Sequence, residues 1–193
     1  MLDNLKKYNI ILASNSPRRK ELLARLGLKF KVRSLFGLDE SYPDELRGEE
    51  ISRFVSQKKA EAYRHTMDAN DLIITADTMV YCDDTVLGKP VNVTKCAEML
   101  RLLSGKTHEV ITGVTIMTLR RTETFTATTK VTFTQLTDED IDYYIKNYLP
   151  LDKAGGYGIQ EWIGMIAVEN INGSFFNVMG LPVQRLYSAL KKF

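Results

Sequence analysis

The run from Tyr8 to Leu23 limits the fold more than any other stretch. An apolar segment, Tyr8 to Ala13, breaks at Ser14-Asn15-Ser16, and Pro17 then opens a helix. Ser16 suits the N-cap, where a hydroxyl accepts from an unpaired backbone N–H. Pro17 suits the first helical position, where no N–H is needed. Leu22, Leu23 and Leu26 recur at helical spacing and supply a buried stripe. The product is a strand–turn–helix unit with one odd feature: Arg18, Arg19 and Lys20 crowd the first turn. The helix dipole already presents positive potential there and favours Asp or Glu. Cations in that place repel the dipole unless an anion sits among them, so the turn is a candidate phosphate site. A solvated basic turn and a short nucleic-acid patch are the two plainer readings.

The remaining segments interleave helical and strand periods. A second strand is predicted over Leu28 to Ser34, followed by a loop rich in Gly, Pro and acids. A helix is predicted from about Glu49 to Tyr63, with Ile51, Phe54, Val55 and Ala62 inward. Asp71 begins a buried strand, L-I-I-T-A, that runs into Asp77-Thr78, and Asp83-Asp84 reads as a hairpin turn. Thr94 to Leu103 is predicted helical, with Cys96 on its apolar face. Two Thr-rich segments, His108 to Leu119 and Thr122 to Leu136, alternate like adjacent antiparallel strands. Thr137 caps the next helix. Met165 to Glu169 and Ser174 to Met179 are predicted to pair as a hairpin about Asn172-Gly173, and a last helix places Val183, Leu186, Tyr187 and Leu190 inward. No repeat or linker divides the chain, so residues 1–193 are expected to form one domain with an α/β or α+β sheet flanked by helices.

Net charge is +2, with 26 basic and 24 acidic residues. That balance argues against a general polyanion binder, so affinity for an anion must be local. No stretch approaches the ~20 apolar residues that span a bilayer, and the start lacks a signal-peptide pattern; the expected location is the cytoplasm.

Asp77 follows mostly apolar residues, and a buried carboxylate needs a hydrogen bond, a cation or a metal. Glu40, in the acidic loop, is a second candidate carboxylate, although a solvated loop acid is the plainer reading. Lys58 and Lys59 are neighbours on one helix and cannot face the same way. Lys89, between Gly88 and Pro90, sits on a rigid loop that can aim an ammonium. The glycines of Gly155–Gly158 let a ligand approach backbone closely, and the Gln160 amide can read a base edge. Two histidines and two cysteines, far apart, assemble neither a zinc site nor a nucleophilic triad. Any metal should be a hard one, held by carboxylates and phosphate oxygens. This inventory suits phosphoryl chemistry on a nucleotide.

Eight segments then fall in one order: L-A-S-N-S-P-R-R-K-E-L-L, Asp39-Glu40, Lys59-Ala60, A-D-T-M-V, L-G-K-P, S-G-K-T-H-E-V-I-T-G-V, D-K-A-G-G-Y-G-I-Q and N-G-S-F-F-N-V-M-G-L-P. In this the chain resembles the Maf family of nucleoside triphosphate pyrophosphatases, once described as septum-formation inhibitors, over nearly its whole length. The resemblance implies an α/β fold with a mixed, bent sheet flanked by helices, and two lobes with a cleft between them, as in inosine triphosphate pyrophosphatases. It implies hydrolysis of a nucleoside triphosphate to monophosphate and pyrophosphate with a divalent cation, Mg2+ or Mn2+. Matched by motif, Asp77 is the general base and, with Glu40, a metal ligand. Arg18, Thr78 and Gln160 match positions tied to substrate choice. Ser14, Arg18, Arg19, Lys59 and Lys89 match positions that bind phosphate.

The form of the glycine-rich segment is similar to that of the branch acting on dTTP and UTP. A pyrophosphatase for 7-methyl-GTP or another modified nucleotide, and a non-catalytic nucleotide-binding regulator of septation, stay open as alternatives. Two departures stand out: Gly156 replaces a common alanine, and Glu161-Trp162-Ile163 replaces a more glycine-rich continuation. A small-molecule nucleotide is the expected partner, with no nucleic acid and no membrane, and a homodimer is expected on size alone.

Overall fold

The computed structural model describes residues 2–35 and 37–193; Met1 and Phe36, the latter in the predicted acidic loop, lie outside the described residues. The strands are β1 Asn9–Leu12, β2 Lys31–Val32, β3 Asp71–Cys82, β4 Thr85–Leu87, β5 Thr107–Met117, β6 Thr122–Phe133 and β7 Val168–Asn172. The helices are α1 Pro17–Arg25, α2 Glu49–Glu61, α3 Val93–Leu103, α4 Asp138–Tyr148, α5 Trp162–Ala167, α6 Phe175–Val178 and α7 Val183–Leu190. The strands form one mixed sheet in the order β2-β1-β3-β5-β6-β7, with β4 paired to β3. β1 runs parallel to both β2 and β3, while the β3–β4 and β6–β7 pairs are antiparallel.

Backbone contacts separate two compact units. The first comprises 2–35, 37–77, 112–127 and 180–193 of the described residues, and its core follows the predicted pattern. Ile10, Ile11 and Leu12 of β1, Leu72, Ile73 and Ile74 of β3, and Leu22 and Leu23 of α1 are buried. Gly27, at φ 74°, ends α1 in the left-handed region as a helix-stopping glycine does. Tyr63 packs on Ile11 and Ile73, and its hydroxyl accepts from Leu35 N–H and donates to the Arg33 carbonyl.

α2 docks by small and polar residues. Ser52, Ser56 and Ala60 are buried with Ile51 and Val55, whereas Ala62, predicted inward, is exposed. The reason is a close approach. A Cβ at Gly113 of β5 would stand 2.1 Å from the Ser52 carbonyl oxygen, so only glycine admits the helix there. Ser56 Oγ meets Thr115 Oγ1 at 3.1 Å, and Thr75 donates to the Ser56 carbonyl at 2.7 Å.

The second unit comprises 78–111 and 128–179. Asp83 and Asp84, at φ 47° and 59°, make the hairpin turn that joins β3 to β4. Cys96, Leu100 and Leu103 of α3 and Ile141, Tyr144 and Ile145 of α4 are buried. α4 opens with a capping box between Thr137 and Asp140. His108, Phe133 and Tyr157 stack edge to face, with centroids 4.9 to 5.5 Å apart.

Two predicted strands are corrected. The second strand keeps only Lys31–Val32 of Leu28 to Ser34, since its partner β1 offers just two register positions, Ile11 and Leu12. The predicted hairpin is absent. Trp162–Ala167 is helical, and Val168–Asn172 pairs with β6 instead. Ser174 then caps a helical turn, its hydroxyl accepting from Asn177 N–H. The buried Asn177 amide donates to the Val110 carbonyl and to Thr129 Oγ1, both at 3.0 Å. Those anchors hold Phe175–Val178 as a helical turn, although its apolar residues read as strand.

Candidate active site

In the first unit β3 delivers Asp77 at the end of its apolar run, and α2 brings Lys59 to it. Lys59 Nζ lies 2.8 Å from Asp77 Oδ1 and 3.1 Å from Glu40 Oε1. The Lys59 and Asp77 side chains are 12% and 16% exposed, while Glu40 is 55% exposed. One ammonium thus bridges two carboxylates, one fixed in a strand and one on a loop. Lys58, one helical step away, pairs with the neighbouring acid Asp39 at 2.7 Å and donates to the Ser41 carbonyl at 2.9 Å. Lys58, then two hydrogen bonds from Ser41, hold the Asp39 carboxyl well below the usual carboxylate range. Asp39-Glu40 and Lys58-Lys59 are therefore matched in sequence order, two acids against two bases.

The turn before α1 forms as predicted: Ser16 Oγ accepts from Arg19 N–H, with Pro17 first in the helix. Arg19 binds protein oxygen. Its Nε donates to the Gly180 carbonyl and its Nη1 to the Ala76 carbonyl, both at 2.9 Å, and Nη1 also reaches Ser14 Oγ at 3.4 Å. Burial lowers the Arg19 pKa, the Asp77 charge opposes that shift, and the charges of Arg18 and Glu40 act on it as well. Ser14, Arg18, Arg19, Glu40, Lys59 and Asp77 thus share one electrostatic neighbourhood. Arg19 ties the α1 turn to the residue preceding Asp77.

In the second unit Thr78 directly follows Asp77 and is half-buried, while Lys89 and Gln160 are exposed. The loop carrying Lys89 is joined to the glycine-rich segment by a hydrogen bond of 3.0 Å from Gly155 N–H to the Gly88 carbonyl. Gly155 and Gly156, at φ 69° and 71°, pack so closely that a Cβ would meet Val80 Cγ2 at 2.9 Å and Cys96 Sγ at 2.8 Å. Three residues beyond the predicted set stand behind Gln160. Lys153 is buried and pairs with Asp152 at 2.7 Å and Glu161 at 3.1 Å, and the Tyr144 hydroxyl donates to Glu161. Tyr144 falls in the Ile141–Tyr144–Ile145 stripe, which signals burial but not its polar partner.

Among the described residues no group of three or more His, Cys, Asp or Glu side chains could enclose a metal ion, and no helix is long and apolar enough to cross a membrane. The donors on hand are the Glu40 and Asp77 carboxylates. Mg2+ in nucleotide enzymes typically takes one or two carboxylates and completes its shell with water and substrate phosphates, so this donor set fits an ion arriving with a nucleotide.

The fold is shared with a HAM1 protein from Coxiella burnetii, with a TM-score of 0.51 over 96% of this chain and 100% of that one, at 12% identity. The class defined is a mixed α/β protein of that fold in which one ammonium bridges a carboxylate within a strand and a carboxylate on a loop. The particular family follows from sequence: the family model described as Maf-like protein matches residues 9–193, and the chain belongs to the Maf family. A dTTP/UTP pyrophosphatase of Phocaeicola vulgatus is 61% identical over 192 residues, covering 100% of each chain. One of Bacteroides thetaiotaomicron is 56% identical over the same length and coverage.

Proposed function

We propose that the protein hydrolyses dTTP and UTP to the nucleoside monophosphate and pyrophosphate, by attack of water at the α-phosphorus. The observation that carries this reading is the Lys59 bridge between Asp77 and Glu40, in a chain 61% identical to a protein named dTTP/UTP pyrophosphatase. A nucleoside triphosphate carries roughly four negative charges, so several cations and a metal are proportionate to it.

Asp77 orients the attacking water and takes its proton through the oxygen that Lys59 does not hold. The water oxygen bonds to the α-phosphorus as the bridging oxygen leaves with pyrophosphate. Glu40 and Asp77 would hold Mg2+ or Mn2+, which supplies Lewis-acid stabilisation of phosphate oxygens. Lys59 keeps the two carboxylates in place before substrate binds. Ser14, Arg18 and Lys89 bind phosphate oxygens. Arg19 adds positive potential while fixing Ala76, and so the backbone that presents Asp77. Thr78 and Gln160, with Arg18, select the substrate; a Gln amide offers both a donor and an acceptor, which suits the uracil or thymine edge.

The test is pyrophosphate release by the purified protein with Mg2+ or Mn2+, using dTTP, UTP, CTP, GTP and 7-methyl-GTP. Release from dTTP and UTP, reduced ~10²-fold or more in Asp77→Asn, is the expected result. Release from 7-methyl-GTP alone would move the protein to another branch. Binding without release from any of them would make it a nucleotide-binding regulator.

A further inference from the structure

Gln160 is exposed, yet the turn that carries it is closed at both corners by one buried hydroxyl. Gly158, Ile159, Gln160 and Glu161 form a turn with a hydrogen bond of 2.9 Å from Glu161 N–H to the Gly158 carbonyl. The Tyr144 hydroxyl accepts from Gly158 N–H at 3.0 Å and donates to Glu161 Oε2. Lys153 Nζ takes the other carboxylate oxygen, Oε1, at 3.1 Å. A Cβ at Gly158 would sit 2.9 Å from both Glu161 Cδ and Lys153 Cε, so the two side chains close over that glycine. Glu161 is also the N-cap residue of α5, but its side chain does not cap that helix. Its carboxylate serves Tyr144 and Lys153 instead.

We propose that Tyr144, Glu161 and Lys153 are positioning residues that lock the Gly158–Glu161 turn, so that the Gln160 amide is presented in one orientation and sets the preference for uracil and thymine bases. This rests on the reading of Gln160 given above. A side chain on an exposed turn has rotamer freedom, and ordering it on binding weakens affinity. A turn already closed at both corners removes the backbone share of that loss. Buried polar groups impose such order only when each is satisfied, and here the carboxylate has a partner on each oxygen and the hydroxyl both donates and accepts.

The experiment is steady-state kinetics of the full chain with dTTP, UTP and CTP. It compares Tyr144→Phe, Glu161→Gln, Gln160→Ala and the double variant Gln160→Ala/Tyr144→Phe, each checked for folding by thermal melting. Tyr144→Phe and Glu161→Gln are each expected to raise KM for dTTP and UTP about tenfold, to hold kcat within about threefold, and to narrow the preference over CTP. On the Gln160→Ala background, Tyr144→Phe is expected to move KM by less than about twofold, because nothing remains to be oriented. A purely structural role would lower the melting temperature and add equally on both backgrounds, which would overturn the proposal. So would an unmoved KM and preference in Tyr144→Phe and Glu161→Gln while Gln160→Ala moves both, and the base-reading role of Gln160 would then stand. If Gln160→Ala itself changes neither, that role falls and the positioning role with it. Should Tyr144→Phe fail to fold, Glu161→Gln, at a less buried residue, decides the matter.

Discussion

The Lys59 ammonium stands 2.8 Å from Asp77 Oδ1 and reaches Glu40 as well, so the two carboxylates assigned to water and metal are held by one cation. That cation neutralises part of the charge of two acids brought together, and it aims Asp77 by engaging one oxygen and leaving the other. Lys59→Gln keeps the length roughly but loses the charge. It is expected to lower kcat/KM by ~10²- to 10³-fold, the scale seen when a preorganised charged or polar group is removed from such a site. The measurement is pyrophosphate release from dTTP at saturating Mg2+. A kcat/KM within a few-fold of the parent would mean that catalysis needs neither the charge of Lys59 nor its hold on Asp77.

Gly113 decides where Lys59 sits. Its missing side chain lets α2 approach so closely that a Cβ there would stand 2.1 Å from the Ser52 carbonyl oxygen, and that neighbour is backbone. Gly113→Ala must push the helix away from β5. The expected cost is about 1–3 kcal/mol of stability, as in other overpacked cores, with turnover falling further than stability because Lys59 moves with the helix. Urea unfolding and kinetics on the same preparation separate the two effects. An unchanged unfolding midpoint would show that the approach is not tight.

These two residues also mark what the sequence makes legible. Ser16, Pro17 and Gly27 encode both ends of α1 by local chemistry, and the structure follows them. Asp77 was legible as a carboxylate closing the run L-I-I-T-A. Spacing left the choice between Lys58 and Lys59 open, and only the family resemblance picked Lys59, because the inward face of α2 is set by Ser52, Ser56 and the space at Gly113. A count of apolar residues does not register those. Phe175 and Phe176 read as strand for the converse reason: their helical turn is imposed by Ser174 and by Asn177 bonding to Val110 and Thr129, two residues distant in sequence. The Tyr144–Glu161–Lys153 cluster joins α4 to the loop before α5, and only the folded chain brings it together.

His108 gives the stability a pH dependence of known sign. It is buried between Phe133 and Tyr157, and burial pushes its pKa down from 6.5 to about 4. The unfolded chain therefore binds a proton below about pH 6.5 that the folded chain refuses until about pH 4. The stability contributed by keeping this ring neutral is complete well above pH 6.5 and falls as the pH drops through that window. The loss attributable to this ring is roughly 3 kcal/mol, at about 1.4 kcal/mol per pKa unit. Urea midpoints between pH 4 and 7 should fall towards acid, and His108→Asn should flatten that part of the slope. An identical slope in the variant would assign the acid sensitivity to other groups.

The pairing of Asp39 with Lys58 predicts a smaller, salt-dependent effect on catalysis. Asp39 accepts from Lys58 and from both the backbone and the hydroxyl of Ser41, which pins the loop on either side of Glu40. The Asp39 side chain is 68% exposed, so its ion pair is screened by solvent and adds little to global stability. Its consequence is local, because Glu40 reaches Lys59 only while the loop lies along α2. Asp39→Asn weakens the Lys58 contact without removing the side chain's hydrogen-bonding atoms. It is expected to lower kcat/KM about two- to fivefold at low ionic strength, with the deficit shrinking as added salt screens the same pair in the parent protein. A deficit equal at all salt concentrations would mean that the Ser41 hydrogen bonds, and not the ion pair, hold the loop.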